Sequence, residues 1–202
     1  MTKRFGFTLA EVLITLGIIG VVAAMTMPTL INQTNGAQYK AAYKKALSAI
    51  SQGVTLNVAL DDVSFADDNA ANFLPTRMNV VKNTTGETDK IGYKTWPTLA
   101  TSNGSGTAPA TSGNNTALFF NDGSLFVFPT SKATNECTEA HPCKGFIDVN
   151  GIKGPNKVVG CETATTEDTC IPNSPTDIYP VKYYDQTVLP NSPAARGVLY
   201  GK

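Results

Sequence analysis

Residues 3–30 read KRFGFTLAEVLITLGIIGVVAAMTMPTL, and their reading decides the architecture of the chain. Two cations, Lys3 and Arg4, precede a small residue, Gly6, and an apolar run that begins at Phe7. One acid, Glu11, interrupts the run near its start, and no residue from Val12 to Tyr39 is charged. At about 1.5 Å per residue, a helix from Phe7 to Ile31 spans roughly 37 Å, enough for a hydrocarbon layer of about 30 Å. The stretch reads as a single membrane-spanning helix, and the cations ahead of it predict a cytoplasmic N-terminus. A lone carboxylate on such a helix either reaches the headgroups or has a partner.

Beyond Pro28 the helical pattern resumes. Tyr39, Tyr43, Ala46, Leu47, Ile50, Val54 and Val58 recur at spacings of three and four, an apolar stripe with Lys40, Lys44 and Lys45 largely off it. The helix is expected to reach about Leu60, with Asp61 and Asp62 at its exit. Pro28 removes a backbone donor and predicts a kink or local melting. The division is then a membrane half over residues 7–31, an amphipathic half over 32–60 and a globular head over 61–202.

The head reads as α+β, a small antiparallel sheet behind the long helix. Ser64 to Lys82 is expected to form a short helix on Phe65, Phe73, Leu74, Met78 and Val81, with Pro75 bending or splitting it. Residues 84–96 look turn-like, and 101–116, TSNGSGTAPATSGNNT, read as a solvated loop. Ala117–Asn121 and Ser124–Phe128 flank Asp122-Gly123, a tight hairpin signal. Gly145–Val149 and Ile178–Tyr184 read as further strands, the last at an edge or bulged because of Pro180.

The opening residues carry a family resemblance. Gly6-Phe7-Thr8-Leu9-Ala10-Glu11, followed by Val12 to Ala24, resembles the prepilin leader of type IV pilins and type II secretion pseudopilins. Gly17, Gly20 and Pro28 fall where such helices carry loosening or kinking residues. The resemblance implies a six-residue leader, residues 1–6, cut after Gly6 by a prepilin peptidase that then methylates the Phe7 amine. The mature subunit would have 196 of the 202 residues. It gives Glu11 an assembly role, neutralising the Phe7 amine of a neighbouring copy in the filament core. The implied partners are that peptidase, copies of the chain or other pilins, membrane lipid, a platform protein and a cytoplasmic ATPase. The implied location is the inner membrane with the head extracytoplasmic, then an extracellular or periplasmic filament. A secretory signal cut after Ala24 competes with this reading, but Glu11 and the long uncharged stretch beyond Ala24 speak against it. A minor tip pilin with an adhesin-like binding head, and an anchored exported domain with no assembly role, are the alternative functions.

Formal net charge is zero and only 16% of residues are charged, so no basic surface for nucleic acid is expected. Four cysteines, Cys137, Cys143, Cys161 and Cys170, in an exported domain predict disulfides. Local pairs, 137 with 143 and 161 with 170, close short segments at little entropic cost, although three pairings are open. A metal site on Cys137, His141 and Cys143 fits no common zinc spacing. His141 is the only histidine, and no catalytic arrangement can be placed, so no enzyme is expected. Asp148-Val-Asn150-Gly resembles the start of a calcium loop, giving Asp148 and Asn150 as a weak calcium candidate. A strand end with turns is preferred there, because Lys153 intrudes and no later acid completes the spacing. Glu162, Glu167 and Asp168 read as a solvated loop.

Overall fold

The structure is a computed structural model and describes residues 6–85, 91–93, 115–131, 136–162 and 170–200. Lys3, Arg4, Glu167, Asp168 and residues 101–114 of the polar loop lie outside them.

Helix α1 runs from Leu9 to Asp61, 53 residues or about 80 Å. Thr8 caps its start, and Asp62, in the left-handed region, caps its end by donating its N–H to the Val58 carbonyl at 3.0 Å. The expected melting at Pro28 does not occur. Proline deletes one rung, the bond to the Ala24 carbonyl, and the helix continues unbroken through Gly20 and Pro28. Gly36 is the first buried residue of α1, and every described residue before it is exposed or half-buried. Beyond it, Tyr43, Ala46, Leu47, Ile50 and Val54 bury the predicted stripe.

The stripe packs on a six-stranded antiparallel sheet whose spatial order is its chain order. Its strands are β1 (Val80–Asn83), β2 (Asn115–Phe120), β3 (Leu125–Pro129), β4 (Cys143–Asp148), β5 (Ile178–Tyr184) and β6 (Thr187–Pro190). Alternate residues face opposite sides. Phe126, Phe128, Ile147, Tyr179, Val181 and Tyr183 join the core against α1, whereas Leu125, Val127, Phe146 and Ile178 join a second cluster with Ile91 on the other face. Burial of both faces explains why these strands read as nearly continuous apolar runs.

Several expectations need correction. The Ser64–Lys82 segment is not one helix: α2 covers only Ala70–Arg77, with Pro75 inside it, and Val80 to Asn83 form β1. Asn69 starts α2, its side chain accepting the Ala71 N–H at 2.9 Å. Asn115 and Thr116 belong to β2 and are buried, Thr116 sharing a hydroxyl hydrogen bond with Thr130 at 3.0 Å. β5 is an interior strand, between β4 and β6. Pro180 is tolerated there because its amide position faces β6 just past that strand's end, where its carbonyl accepts the Asn191 N–H at 2.9 Å. β6 and a closing helix, α3 (Pro193–Tyr200), complete the head.

Candidate functional site

The N-terminal end of α1 brings Phe7, Thr8 and Glu11 together. A helix start leaves several N–H groups unpaired and carries partial positive charge, so an acid in the first turn is favoured. The sequence Thr8-Leu9-Ala10-Glu11 builds a capping box there. The Thr8 hydroxyl accepts the Glu11 N–H at 3.3 Å, and the Thr8 N–H and hydroxyl both donate to Glu11 Oε2 at 2.8 Å. Oε2 is thus held by two donors of its own chain. Phe7, immediately before the cap, is 87% exposed. Phe7, Glu11, Val12 and Thr15 line one recess at this end. Cutting the chain between Gly6 and Phe7 would leave every bond of the capping box intact.

Thr8 stands in the motif read from the sequence without a role of its own there, although a Thr followed three residues later by Glu ahead of an apolar run is a capping-box signature. Gly17 and Gly20 have open space where a Cβ would stand, as expected on a helix half that the described part of the head does not cover.

The second set of candidates lies where the head meets the helix. Asp148 is fully buried at the end of β4. Its Oδ2 accepts the Tyr93 hydroxyl at 2.5 Å and its Oδ1 the Asn150 N–H at 3.2 Å. Asp177, also fully buried, accepts the N–H groups of Asn156 and Lys157 at 2.8 and 2.6 Å. Burial pushes the Asp148 carboxyl up to about 8, with Asp177 adding to the shift, and burial raises Asp177 as well. Asn150 donates its side-chain amide to the Gly154 carbonyl at 3.1 Å and to the Tyr39 hydroxyl of α1 at 3.4 Å. Asp148 and Asn150 are adjacent, as their spacing requires. All four carboxylate oxygens of the two acids already accept N–H or O–H groups. The arrangement is a hydrogen-bonded knot that ties two loops to the helix.

Cys137 is bonded to Cys143 and Cys161 to Cys170. The first bond takes both thiols away from the metal reading, and His141, exposed beside them, donates its backbone N–H to the Thr138 carbonyl. Among the described residues no three His, Cys, Asp or Glu side chains group in a way that could hold a metal ion.

Residues 1–27 match the family model described as the prokaryotic N-terminal methylation motif. This is the prepilin-type cleavage and methylation signal of type IV pilins and pseudopilins. The long helix and six-stranded antiparallel head behind that signal form a pilin-like α+β architecture. No curated protein and no solved structure matches the chain.

Proposed function

We propose that the protein is a structural subunit of a type IV pilus-like or type II secretion pseudopilus filament, stored in the membrane and assembled from it. The observation that carries this reading is the helix half before Gly36, apolar from Phe7 to Ile31 and with no residue buried by the described part of the head, with a methylation signal at its start. In water so much exposed apolar surface would be strongly unfavourable, and it needs lipid or other copies of itself as cover. Lipid serves while the subunit is stored, and neighbouring helices serve in the fibre.

The chemistry at the helix start follows from this. The peptidase cuts after Gly6 and methylates the new amine of Phe7. The capping box keeps Glu11 Oε2 hydrogen-bonded to Thr8 throughout, which lowers the cost of bringing a carboxylate to the lipid boundary. Oε1 is left to receive the Phe7 ammonium of a neighbour. The pair is far less costly to bury than either charge alone, so correct register is favoured as copies are added. A platform protein and an ATPase on the cytoplasmic side supply the lift.

The test is the intact mass and N-terminal sequence of protein recovered from membranes, beside a Glu11→Val variant scored for incorporation into sheared filaments. A methylated Phe7 terminus, with the variant processed but poorly incorporated, is the expected result. A terminus at Met25, or an uncut Met1, refutes the reading.

A further inference from the structure

The height of the head above the membrane can be worked out along α1. The uncharged, apolar segment from Val12 to Ile31 is about 30 Å long, the thickness of the hydrocarbon layer itself. Four polar residues follow, Asn32, Gln33, Thr34 and Asn35, all exposed or half-buried. Gly36 comes next, about 7.5 Å beyond Ile31 along the helix. A headgroup layer is about 5–8 Å thick on each side, so Gly36 stands at its outer limit.

At Gly36 the head begins. A Cβ built there would lie 2.0 Å from Ser174 Oγ and 4.0 Å from Pro175 Cα, so the segment around Ser174 lies directly on the helix backbone. About one helical turn higher, Tyr39 meets Asn150. Among the described residues, the head therefore meets α1 nearest the membrane through the 171–176 segment, by Ser174 and Pro175, and next through the 150–157 loop, by Asn150. These carry Ile171, 58% exposed, and Ile152, 44% exposed, together with the exposed cations Lys153 and Lys157. Glu162, whose N–H donates to the Ile171 carbonyl, is an exposed acid nearby. Isoleucines on exposed loops between lysines suit a headgroup layer, where apolar tips enter the acyl boundary and ammonium groups stay among phosphates.

We infer that the underside of the head, the 150–157 loop and the 171–176 segment, is a bilayer-contacting face that rests on the lipid headgroups while the subunit is stored. The inference rests on the membrane-anchored reading above. Contact at this face fixes the tilt of the whole rod, because the head is docked along α1 from Gly36 upward. Extraction into a fibre must then break this contact as well as remove the helix from lipid.

The test reconstitutes the full chain in phosphatidylethanolamine/phosphatidylglycerol vesicles carrying a headgroup-attached quencher. A fluorophore is placed on Gly154→Cys, where the side chain has open space, and in a separate sample on Leu60→Cys, about 36 Å further along the helix from Gly36. All four native cysteines are paired and do not compete for label. Protein that floats with the vesicles, with several-fold stronger quenching at 154 than at 60, is the expected result. Ile152→Glu with Ile171→Glu should lower that ratio by about half, through loss of apolar insertion. Equal quenching in floated protein overturns the inference and leaves the anchoring intact. So does a label at 154 that lipid never quenches but that becomes shielded from aqueous quencher in assembled fibres, which gives the face to a second copy. Protein that fails to float overturns the anchoring and the inference together.

Discussion

Tyr43 and Tyr179 stack face to face, ring centroids 4.2 Å apart and planes within 13°, at the centre of the contact between α1 and the sheet. Both are fully buried, yet their hydroxyls differ. The Tyr179 hydroxyl donates to the Thr176 carbonyl at 2.8 Å, whereas the Tyr43 hydroxyl has no hydrogen-bond partner among the described residues. Burial pushes the Tyr43 hydroxyl well above the ordinary tyrosine range and that of Tyr179 up to about 12, so both stay neutral. Leaving a buried hydroxyl without a partner costs about 1–3 kcal/mol, while losing an ordinary hydrogen bond costs about 1 kcal/mol. Two substitutions that look alike should therefore have opposite signs. Tyr43→Phe keeps the stack, removes the stranded group and should stabilise the head by about 1 kcal/mol. Tyr179→Phe leaves the Thr176 carbonyl unpaired and should destabilise it by about 1 kcal/mol. Tyr43→Ala, which loses the ring and its stacking, should cost about 3–5 kcal/mol. The assay is thermal unfolding of the full chain in detergent micelles, followed by near-ultraviolet circular dichroism, where 1 kcal/mol moves the midpoint by about 2–4 °C. A Tyr43→Phe midpoint several degrees below the parent refutes the reasoning, because the hydroxyl must then be making a bond worth keeping.

Two further perturbations test other parts of the head. Gly145→Ala in β4 would place a Cβ 2.5 Å from the Val127 carbonyl of the paired strand, a backbone atom with little room to yield, and should cost about 1–3 kcal/mol by the same unfolding assay. Asp148, held up to about 8 by burial, keeps its proton in the fold over a range where the unfolded chain has released it. The folded state then binds more protons between about pH 4 and 8, so stability falls as pH rises through that window and levels off above it. Asp148→Asn, uncharged throughout, should flatten the slope and raise the midpoint at pH 8 by at least a few degrees. An unchanged slope would mean that Asp148 is ionised in the fold.

The long helix was legible because an apolar stripe at helical spacing is a strong signal over so many residues. The hairpin was legible because Asp122-Gly123 lies between two apolar runs, and Gly123 does adopt a positive φ of 88°. β1 was hidden because Met78 and Val81 continue the helical spacing of Phe73 and Leu74. Pairing of Val80 with Phe120, an interaction from distant sequence, overrides that local pattern. β6 was hidden because its turn uses Asp185 at a φ of 45°, a left-handed residue that is not glycine. α3 could have been found. Ser192-Pro193 is a helix-start signal, and the Ser192 hydroxyl accepts the Ala195 N–H at 3.1 Å. At the N-terminal site Gly6, Phe7 and Glu11 were readable from the motif, while the part played by Thr8 needed the hydrogen bonds. The knot at Asp148 and Asp177 joins residues too far apart in sequence for a local pattern to reveal.

For the exported head of the proposed function, the chain-order sheet has a consequence. A head that crosses a membrane behind its anchoring helix emerges from the N-terminal side onward. Here each strand, as it appears, finds its partner already outside, since β2 pairs with β1, β3 with β2 and so on to β6. None of the described strands has to wait, with its edge bare, for a partner still on the far side. The growing sheet exposes one unfinished edge at a time, which shortens the interval in which half-emerged heads crowded on the same membrane could join edge to edge.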